Sequence, residues 1–261
     1  MNTNENTKRF DANNYNFNLD SKLGIYLIHG FTSTTYEVKK LANHLAGQGY
    51  YVQANNLPGH GTTIEDCNLT SYHEWLSSVE KHIATMYTHC DQIIVAGVSM
   101  GGIIALHLGT LFHLNGIVAA SPLLQFKSEF NVRILTRLFH KIKKSVSKDG
   151  AFQPDPTKVI EQGFYGYTHY PLSALNEMRK MIDQVKPNLS KITSPTLLIH
   201  STVDYTTPIK NHQLIKDLLI NSDLSTLILN KAGHNIFDTN SDDQNLVFSA
   251  IDNFIKVNFD V

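Results

Sequence analysis

Short runs of apolar and β-branched residues alternate along the chain with longer stretches in which apolar residues recur every three or four positions. The short runs predict six strands, at residues 23–28, 50–54, 92–96, 116–120, 196–200 and 224–229. Nearly continuous apolar strands are typical of sheets that helices cover on both faces. The pattern therefore predicts an α/β fold built on a mostly parallel central sheet flanked by helices.

The longer stretches predict helices over residues 36–46, 71–88, 100–112, 209–219 and 242–254. In the second of them Trp75, Val79 and Ile83 recur at helical spacing and would form one buried face. Four of the five helices lie between two predicted strands, as crossover helices do when consecutive strands run parallel.

This alternation stops between residues 122 and 195, where only short helical patterns occur, over 133–144, 156–162 and 172–185. A structureless loop of that length is uncommon in a compact domain. We therefore predict an inserted helical cap at 122–195, in a main catalytic domain made of residues 1–121 and 196–261.

Two groups of residues in the predicted cap have alternative interpretations. Leu175, Met178 and Ile182 would either face a substrate or pack against the main domain, and packing is the more common fate of an apolar helix face. The second group is a cluster of four lysines, which favours a solvated helix face over a binding patch. These are Lys141, Lys143, Lys144 and Lys148.

Composition excludes several classes of protein. Of the 261 residues 42% are hydrophobic and 17% are charged, so the chain is neither fibrous nor wholly disordered. A formal net charge of −1 gives no field that would attract nucleic acid, and we expect no such partner.

The start of the chain and the cysteines bear on location. Residues 1–20 are polar, carry a possible edge strand near 15–19, and lack the apolar run of a signal peptide or membrane anchor. Cys67 and Cys90 are too few for a disulfide framework and are expected to be free thiols. We therefore expect a cytoplasmic protein without stable membrane insertion.

The first chemical motif is the sequence G-V-S-M-G at residues 97–101, which follows a predicted strand and opens a predicted helix. This is G-x-S-x-G in the strand, turn, helix context that a nucleophile elbow requires. Its glycines relieve crowding at a tight turn, and the serine hydroxyl then projects from the carboxyl end of the strand. Ser99 is the candidate nucleophile, and the alternative is a turn that only packs a helix on a strand.

A serine hydroxyl needs a base, and the base needs an orienting carboxylate. Asp204 and His234 each follow one of the last two predicted strands, so both are expected at the same sheet edge as Ser99. The chain order Ser, Asp, His is also that of elbow hydrolases. Because the chain has 13 histidines, the assignment of His234 as base rests on this position.

Three competing acids follow His234 in the sequence. Asp238, Asp242 and Asp243 are better placed to serve the first turn of the last helix, where carboxylates meet unpaired amide groups. We therefore assign the orienting role to Asp204.

Acyl transfer also requires two backbone N–H donors for the oxyanion. One is expected from Met100, the residue after the nucleophile. The other is expected from Phe31, in the sequence H-G-F-T at residues 29–32 after the first predicted strand.

Taken together, these residues resemble the α/β-hydrolase superfamily, and within it the bacterial carboxylesterase and monoacylglycerol lipase group. The resemblance covers nearly the whole chain from about residue 23 onward. It rests on H-G-F-T at 29–32, L-P-G-H-G-T at 57–62, Y-H-E-W at 72–75, G-V-S-M-G-G at 97–102, the Asp204 to Pro208 spacing and A-G-H at 232–234.

The resemblance implies an α/β-hydrolase fold and a serine hydrolase that acts on small ester substrates through an acyl-enzyme. It implies Phe31 and Met100 as oxyanion donors, no cofactor, and a structural loop around His60, to which we assign no catalytic role. We predict no metal site.

The leading hypothesis is a carboxylesterase for short to medium acyl esters. Monoacylglycerol lipase is the first alternative, and the same machinery could cleave another acyl bond, such as a thioester, an amide or a carbon–carbon bond beside a ketone. A non-catalytic binding protein is disfavoured because Ser99, Asp204 and His234 are all present. A dehalogenase is disfavoured because its elbow carries a carboxylate.

Overall fold

The computed structural model describes residues 13–148, 166–239 and 242–259. Within them the strands are β1 (Tyr15–Phe17), β2 (Leu23–Ile28), β3 (Tyr51–Ala54), β4 (Gln92–Val98), β5 (Gly116–Ala120), β6 (Ser145–Ser147), β7 (His169–Pro171), β8 (Thr196–Ser201) and β9 (Leu224–Leu229). Seven of these form one sheet in the order β1-β3-β2-β4-β5-β8-β9. Only β1 in this sheet runs antiparallel to its neighbour, so the predicted mostly parallel α/β fold is confirmed.

Eight α-helices occur in the described residues. They are α1 (Lys39–Gly47), α2 (Ile64–Leu69), α3 (Tyr72–Met86), α4 (Met100–Leu111), α5 (Thr136–Phe139), α6 (Leu172–Val185), α7 (Lys210–Leu218) and α8 (Asp243–Asn258). Short 3-10 helices lie at Thr35–Val38, Lys186–Lys191 and Ile236–Asp238, and a π-helical turn lies at Asn131–Leu135. None of the helices in these ranges is long and apolar enough to span a bilayer.

The sheet divides the core into two layers because side chains alternate along each strand. On β4, Ile93 and Val95 face one layer, which is formed with α3, α4 and α6. Ile94 and Ala96 face the other layer, which is formed with α1 and α8. Helix α4 is buried along most of its length, as expected of a helix that is apolar all round.

Most predicted elements lie where the sequence indicated. Helix α3 begins after Ser71, whose hydroxyl accepts from the Glu74 amide while the Glu74 carboxylate accepts from the Ser71 amide, a capping box. Strand β9 departs from expectation because it lies at the sheet edge, where only Leu229 of the strand is buried. Cys67 and Cys90 are free thiols, as predicted.

The segment between β5 and β8, called here the cap segment (residues 122–195), departs more from the prediction. The predicted helix 133–144 is confirmed only as far as Phe139, where α5 ends, and the chain then leads into strand β6, which pairs with β7. The predicted helix 156–162 lies outside the described residues. Helix α6 matches its predicted range.

Apolar residues of α6 pack rather than stand free. Leu175, Met178 and Ile182 are buried in the same core layer as α3 and α4, so the packing alternative is the one observed. The solvated face predicted for the lysine cluster is wrong for Lys148. Lys148 directly follows strand β6 and lies in the interior, where it is 8% exposed, whereas Lys143 is exposed.

Candidate active site

Ser99 occupies a strained turn between β4 and α4. Its φ of 57° and ψ of −117° lie in a region that residues with a side chain rarely adopt. The turn is held by hydrogen bonds from the Ser99 amide to the Ala120 carbonyl, 2.9 Å, and from the Gly102 amide to the Ser99 carbonyl, 3.1 Å. Strain of this kind persists only where the surroundings fix it, and it is concentrated at functional sites.

The two glycines of the motif are dictated by close backbone contacts. A Cβ on Gly97 would lie 2.1 Å from the carbonyl oxygen of Gly101. A Cβ on Gly101 would lie 2.3 Å from the carbonyl oxygen of Ile28, at the end of β2. Both distances are far below van der Waals contact, so the elbow can form only with glycine at these positions.

Replacing Gly101 by alanine is therefore expected to lower the free energy of unfolding by about 3 kcal/mol or more, because backbone atoms of β2 must move. Urea unfolding followed by circular dichroism measures this loss. Gly47→Ala is the matched control: its Cβ meets no atom within 4 Å, and alanine in helix α1 should be neutral or stabilising. If both substitutions had the same small effect on the free energy of unfolding, the predicted steric clash at Gly101 would be wrong.

The loop after β2 lies directly beside Ser99. A Cβ on Gly30 would lie 3.2 Å from the Ser99 Cβ, so the H-G-F-T segment at residues 29–32, called here the oxyanion loop, flanks the elbow. The Gly30 amide donates to Glu37 Oε2 at 2.6 Å. His29 accepts from the Leu57 amide through Nε2, 3.0 Å, so its Nδ1 carries the proton directed to the Gly30 carbonyl.

Asp204 and His234 meet beyond the carboxyl ends of β8 and β9. His234 Nδ1 lies 2.8 Å from Asp204 Oδ2, and the Asp204 side chain has no solvent exposure. The other carboxylate oxygen, Oδ1, accepts from the amides of Thr206 and Thr207 at 2.8 and 2.9 Å. An ionised carboxylate only accepts, so the His234 proton lies on Nδ1 and its Nε2 is left with a lone pair.

Electrostatics agree with this protonation state. Burial opposes ionisation of Asp204, but His234 and the amide donors outweigh it and lower the pKa of Asp204 to about 2. Burial also lowers the pKa of His234, yet the Asp204 carboxylate outweighs this effect and raises that pKa above its usual 6.5. An imidazole whose charged form is stabilised in this way is suited to accept a proton during a reaction.

The competing acids make other contacts. Asp238 pairs with Lys40, and Asp242 pairs with Lys231 Nζ at 2.8 Å. Asp243 lies in the first turn of α8, and its Oδ2 accepts from the amides of Lys231 and Ala232. Asp243 thus lies at the helix start as expected, and its carboxylate binds amides of the loop that leads to His234.

His60 belongs to a buried loop, as the resemblance implied. Its ring packs against Phe31, His29 and Trp75, and burial lowers its pKa to about 3, so the ring is neutral. Trp75 Nε1 donates to the Pro58 carbonyl at 3.1 Å and ties this loop to helix α3.

Several polar residues around the site were not singled out as site residues from the sequence. Glu37 and Lys148 are both buried, and His200 Nε2 lies 4.0 Å from Asp204 Oδ2 while donating to the Thr207 carbonyl. Thr32, next to Phe31, has a φ of 63°. Thr32 ends the H-G-F-T motif, but no motif marks Glu37, Lys148 or His200, and the sequence does not show that their side chains turn towards the site. Among the described residues no cluster of His, Cys, Asp or Glu is arranged to hold a metal ion.

Comparison with known proteins identifies a family and two relatives that are similar in sequence. A family model described as serine aminopeptidase, S33, matches residues 20–241. A thermostable monoacylglycerol lipase of Bacillus sp. (strain H-257) is 29% identical over 194 residues, which are 74% of this chain and 75% of that protein. A carboxylesterase of Bacillus subtilis (strain 168) is 24% identical over 233 residues, 89% of this chain and 92% of that protein.

A solved structure extends the likeness to three dimensions. The monoacylglycerol lipase of Paleococcus ferrophilus superposes with a TM-score of 0.78 at 20% identity, covering 94% of this chain and 98% of that one. At this identity the likeness concerns the fold.

Proposed function

The chain belongs to the serine aminopeptidase S33 family and has the α/β-hydrolase fold, and from that premise we propose that it hydrolyses carboxylic esters through an acyl-enzyme on Ser99. The observation that carries the proposal is the 2.8 Å bond between His234 Nδ1 and the buried Asp204 carboxylate, at the sheet edge where Ser99 stands in its strained turn.

In this mechanism His234 Nε2 takes the Ser99 proton as Oγ attacks the ester carbonyl. The amides of Phe31 and Met100 donate to the oxyanion of the tetrahedral intermediate. Its collapse breaks the bond to the alcohol, which leaves with the proton from His234. His234 Nε2 then takes a proton from a water molecule as its oxygen attacks the acyl carbonyl. Collapse of the second tetrahedral intermediate breaks the bond to Ser99 Oγ, which receives that proton as the carboxylic acid leaves.

The surroundings of the oxyanion loop favour an apolar acyl group. Phe31 stacks on Tyr170 with ring centroids 6.4 Å apart and an interplanar angle of 5°, and its other neighbours include Trp75. Aromatic rings of this kind contribute apolar surface. We therefore propose short to medium acyl esters as substrates, with monoacylglycerols as the second candidate because the Bacillus sp. relative carries that name.

The test is a set of specificity constants for p-nitrophenyl esters from acetate to palmitate, measured beside 1-monoacylglycerols, matched thioesters and alanine p-nitroanilide. A maximum at short or medium oxygen esters supports the proposal, and a strong preference for monoacylglycerols supports the second candidate. Faster turnover of the thioester or the anilide overturns the choice of acyl bond.

Labelling separates the nucleophile from the substrate. A fluorophosphonate probe is expected to modify the folded protein once, and mass spectrometry of the peptides should locate the adduct on Ser99. Labelling without turnover of any ester would overturn the proposed substrate class while leaving Ser99 as a reactive serine. Absence of both labelling and turnover would favour a non-catalytic binding protein.

A further inference from the structure

Thr32 has an unusual backbone for a β-branched residue. Its φ of 63° is left-handed, a region that costs on the order of 1–3 kcal/mol for a residue other than glycine unless the surroundings enforce it. The residue lies immediately after Phe31, so its backbone conformation sets the direction in which the chain continues from the residue that carries the proposed oxyanion donor.

The cap segment supplies the contacts that enforce this conformation. The Tyr167 amide donates to the Thr32 carbonyl at 2.8 Å, and Lys148 Nζ donates to Thr32 Oγ1 at 2.5 Å. Gly166 approaches so closely that a Cβ would lie 2.0 Å from the Thr32 carbonyl oxygen. Thr32 is therefore fixed from the cap side and not only by the main domain.

A chain of hydrogen bonds continues from the cap into the oxyanion loop. Because Thr32 Oγ1 accepts from Lys148, its own proton is free to donate to the Phe31 carbonyl, 2.5 Å away. On the other side of the Phe31 Cα, the Gly30 carbonyl accepts from His29 Nδ1 at 2.8 Å, and the Gly30 amide is bound to Glu37. Both peptide units that flank the Phe31 Cα are thus held by hydrogen bonds, and the bond from Lys148 to Thr32 links one of them to the cap segment.

Lys148 also supports Phe31 through its ring. The ammonium lies 4.9 Å from the centroid of the Tyr170 ring, and Tyr170 stacks on Phe31. The end of the cap segment that carries these groups is itself anchored, because the Tyr167 hydroxyl donates to the Gly59 carbonyl at 2.8 Å.

We infer that Lys148 is a positioning residue for the reaction, which acts from the cap segment through Thr32 and Tyr170 to hold the Phe31 amide in the direction that an oxyanion requires. This inference rests on the proposed function. A buried ammonium is costly, and a buried charge is often replaceable by an apolar residue without loss of stability. The position of Lys148 beside the oxyanion loop is therefore better explained by an effect on the conformation of the loop than by a contribution to the stability of the fold.

The charge of Lys148 gives a second, independent readout. The ionisable groups that face His234 are Asp204, Glu37, Lys148 and His200. Burial lowers the pKa of Lys148 to about 7, and its remaining positive charge lowers the pKa of His234. Removing the ammonium should therefore raise the pKa of His234 and move the acidic limb of kcat/KM to higher pH, because the base must be neutral to act.

The test compares Lys148→Met with Lys143→Met, which removes an exposed lysine from the same segment. For p-nitrophenyl acetate, whose acyl group is too short to depend on the cap, kcat should fall about 10- to 100-fold in Lys148→Met with KM within about twofold. Lys143→Met should match the wild type. Thr32→Val should reproduce the fall, Thr32→Ser should retain most of kcat, and the Lys148→Met/Thr32→Val double variant should lose no more than either single variant.

These outcomes distinguish the inference from its premise. If the wild type turns over esters but kcat is unchanged in Lys148→Met and in Thr32→Val, the inference fails and the proposed function stands. A rise in KM with unchanged kcat would also overturn it, because that pattern indicates a role in binding alone. If the wild type turns over no ester, the proposed function fails first. If Lys148→Met does not fold, the kcat values of Thr32→Val and Thr32→Ser test the inference instead. A fall in Thr32→Val alone supports it, and equal kcat values in the two variants overturn it.

Discussion

Replacing Ser99 by alanine is expected to lower kcat for p-nitrophenyl butyrate by on the order of 10⁶-fold, which is the scale observed when a serine nucleophile is removed from a hydrolase of this type. The physical reason is that no other group can form the acyl-enzyme, and the oxyanion donors alone cannot replace covalent catalysis. Ser99 is 6% exposed, and the loss of its hydroxyl leaves only a small void. We therefore expect thermal unfolding to be unchanged within a few degrees.

Ser194→Ala is the matched control for this loss. Ser194 is a buried serine whose hydroxyl accepts from the Leu114 amide at 3.2 Å, and it precedes β8 at the sheet edge opposite to the elbow. We expect this variant to keep full turnover and fluorophosphonate labelling, with a modest loss of stability. Ester turnover by Ser99→Ala at more than a few per cent of the wild-type rate would refute the assignment of the nucleophile.

The sequence predicted the main sheet well because its inner strands are apolar runs bounded by polar or glycine residues. The ends of β2, β5 and β9 coincide with the predicted ranges. The elbow could also be recognised in the sequence. The close contacts that require Gly97 and Gly101 are made within the turn or beside it, so the two glycines stand at a fixed spacing from Ser99. Asp204 and His234 could be found from the order of the strands that precede them.

The cap segment and the residues behind the oxyanion loop could not be predicted in the same way. Lys148 stands in a lysine-rich stretch that is typical of a solvated surface, and only the pairing of β6 with β7 places it inside. Glu37 appears in sequence as a residue of an amphipathic helix. Its bond to Gly30 depends on the 3-10 turn at Thr35–Val38, which precedes helix α1 and directs the carboxylate back to the loop. No motif records either contact: Lys148 meets Thr32 from 116 residues away, and Glu37 reaches the Gly30 amide only because of this turn.

Asp204→Asn is expected to produce the second largest loss, a fall in kcat of about 10⁴-fold, which is the effect of the equivalent change in serine proteases. The amides of Thr206 and Thr207 both donate to Oδ1, so the side-chain carbonyl of asparagine must take that position. Its NH₂ group would then occupy the position of Oδ2 and donate to His234 Nδ1. The His234 proton would move to Nε2, which could no longer accept the Ser99 proton.

The pH profile of the residual activity is a separate test of the role of Asp204, because it shows in which direction the pKa of His234 moves. In the wild type the acidic limb of kcat/KM should have a midpoint above pH 6.5, because Asp204 stabilises the charged form of His234. Without that carboxylate the effect of burial prevails, the pKa of His234 falls, and the midpoint should move to lower pH. Asp242→Asn and Asp238→Asn are the controls, since their carboxylates pair with Lys231 and Lys40. A loss in Asp238→Asn as large as that in Asp204→Asn, or a midpoint that moves upward, would mean that another acid orients the base.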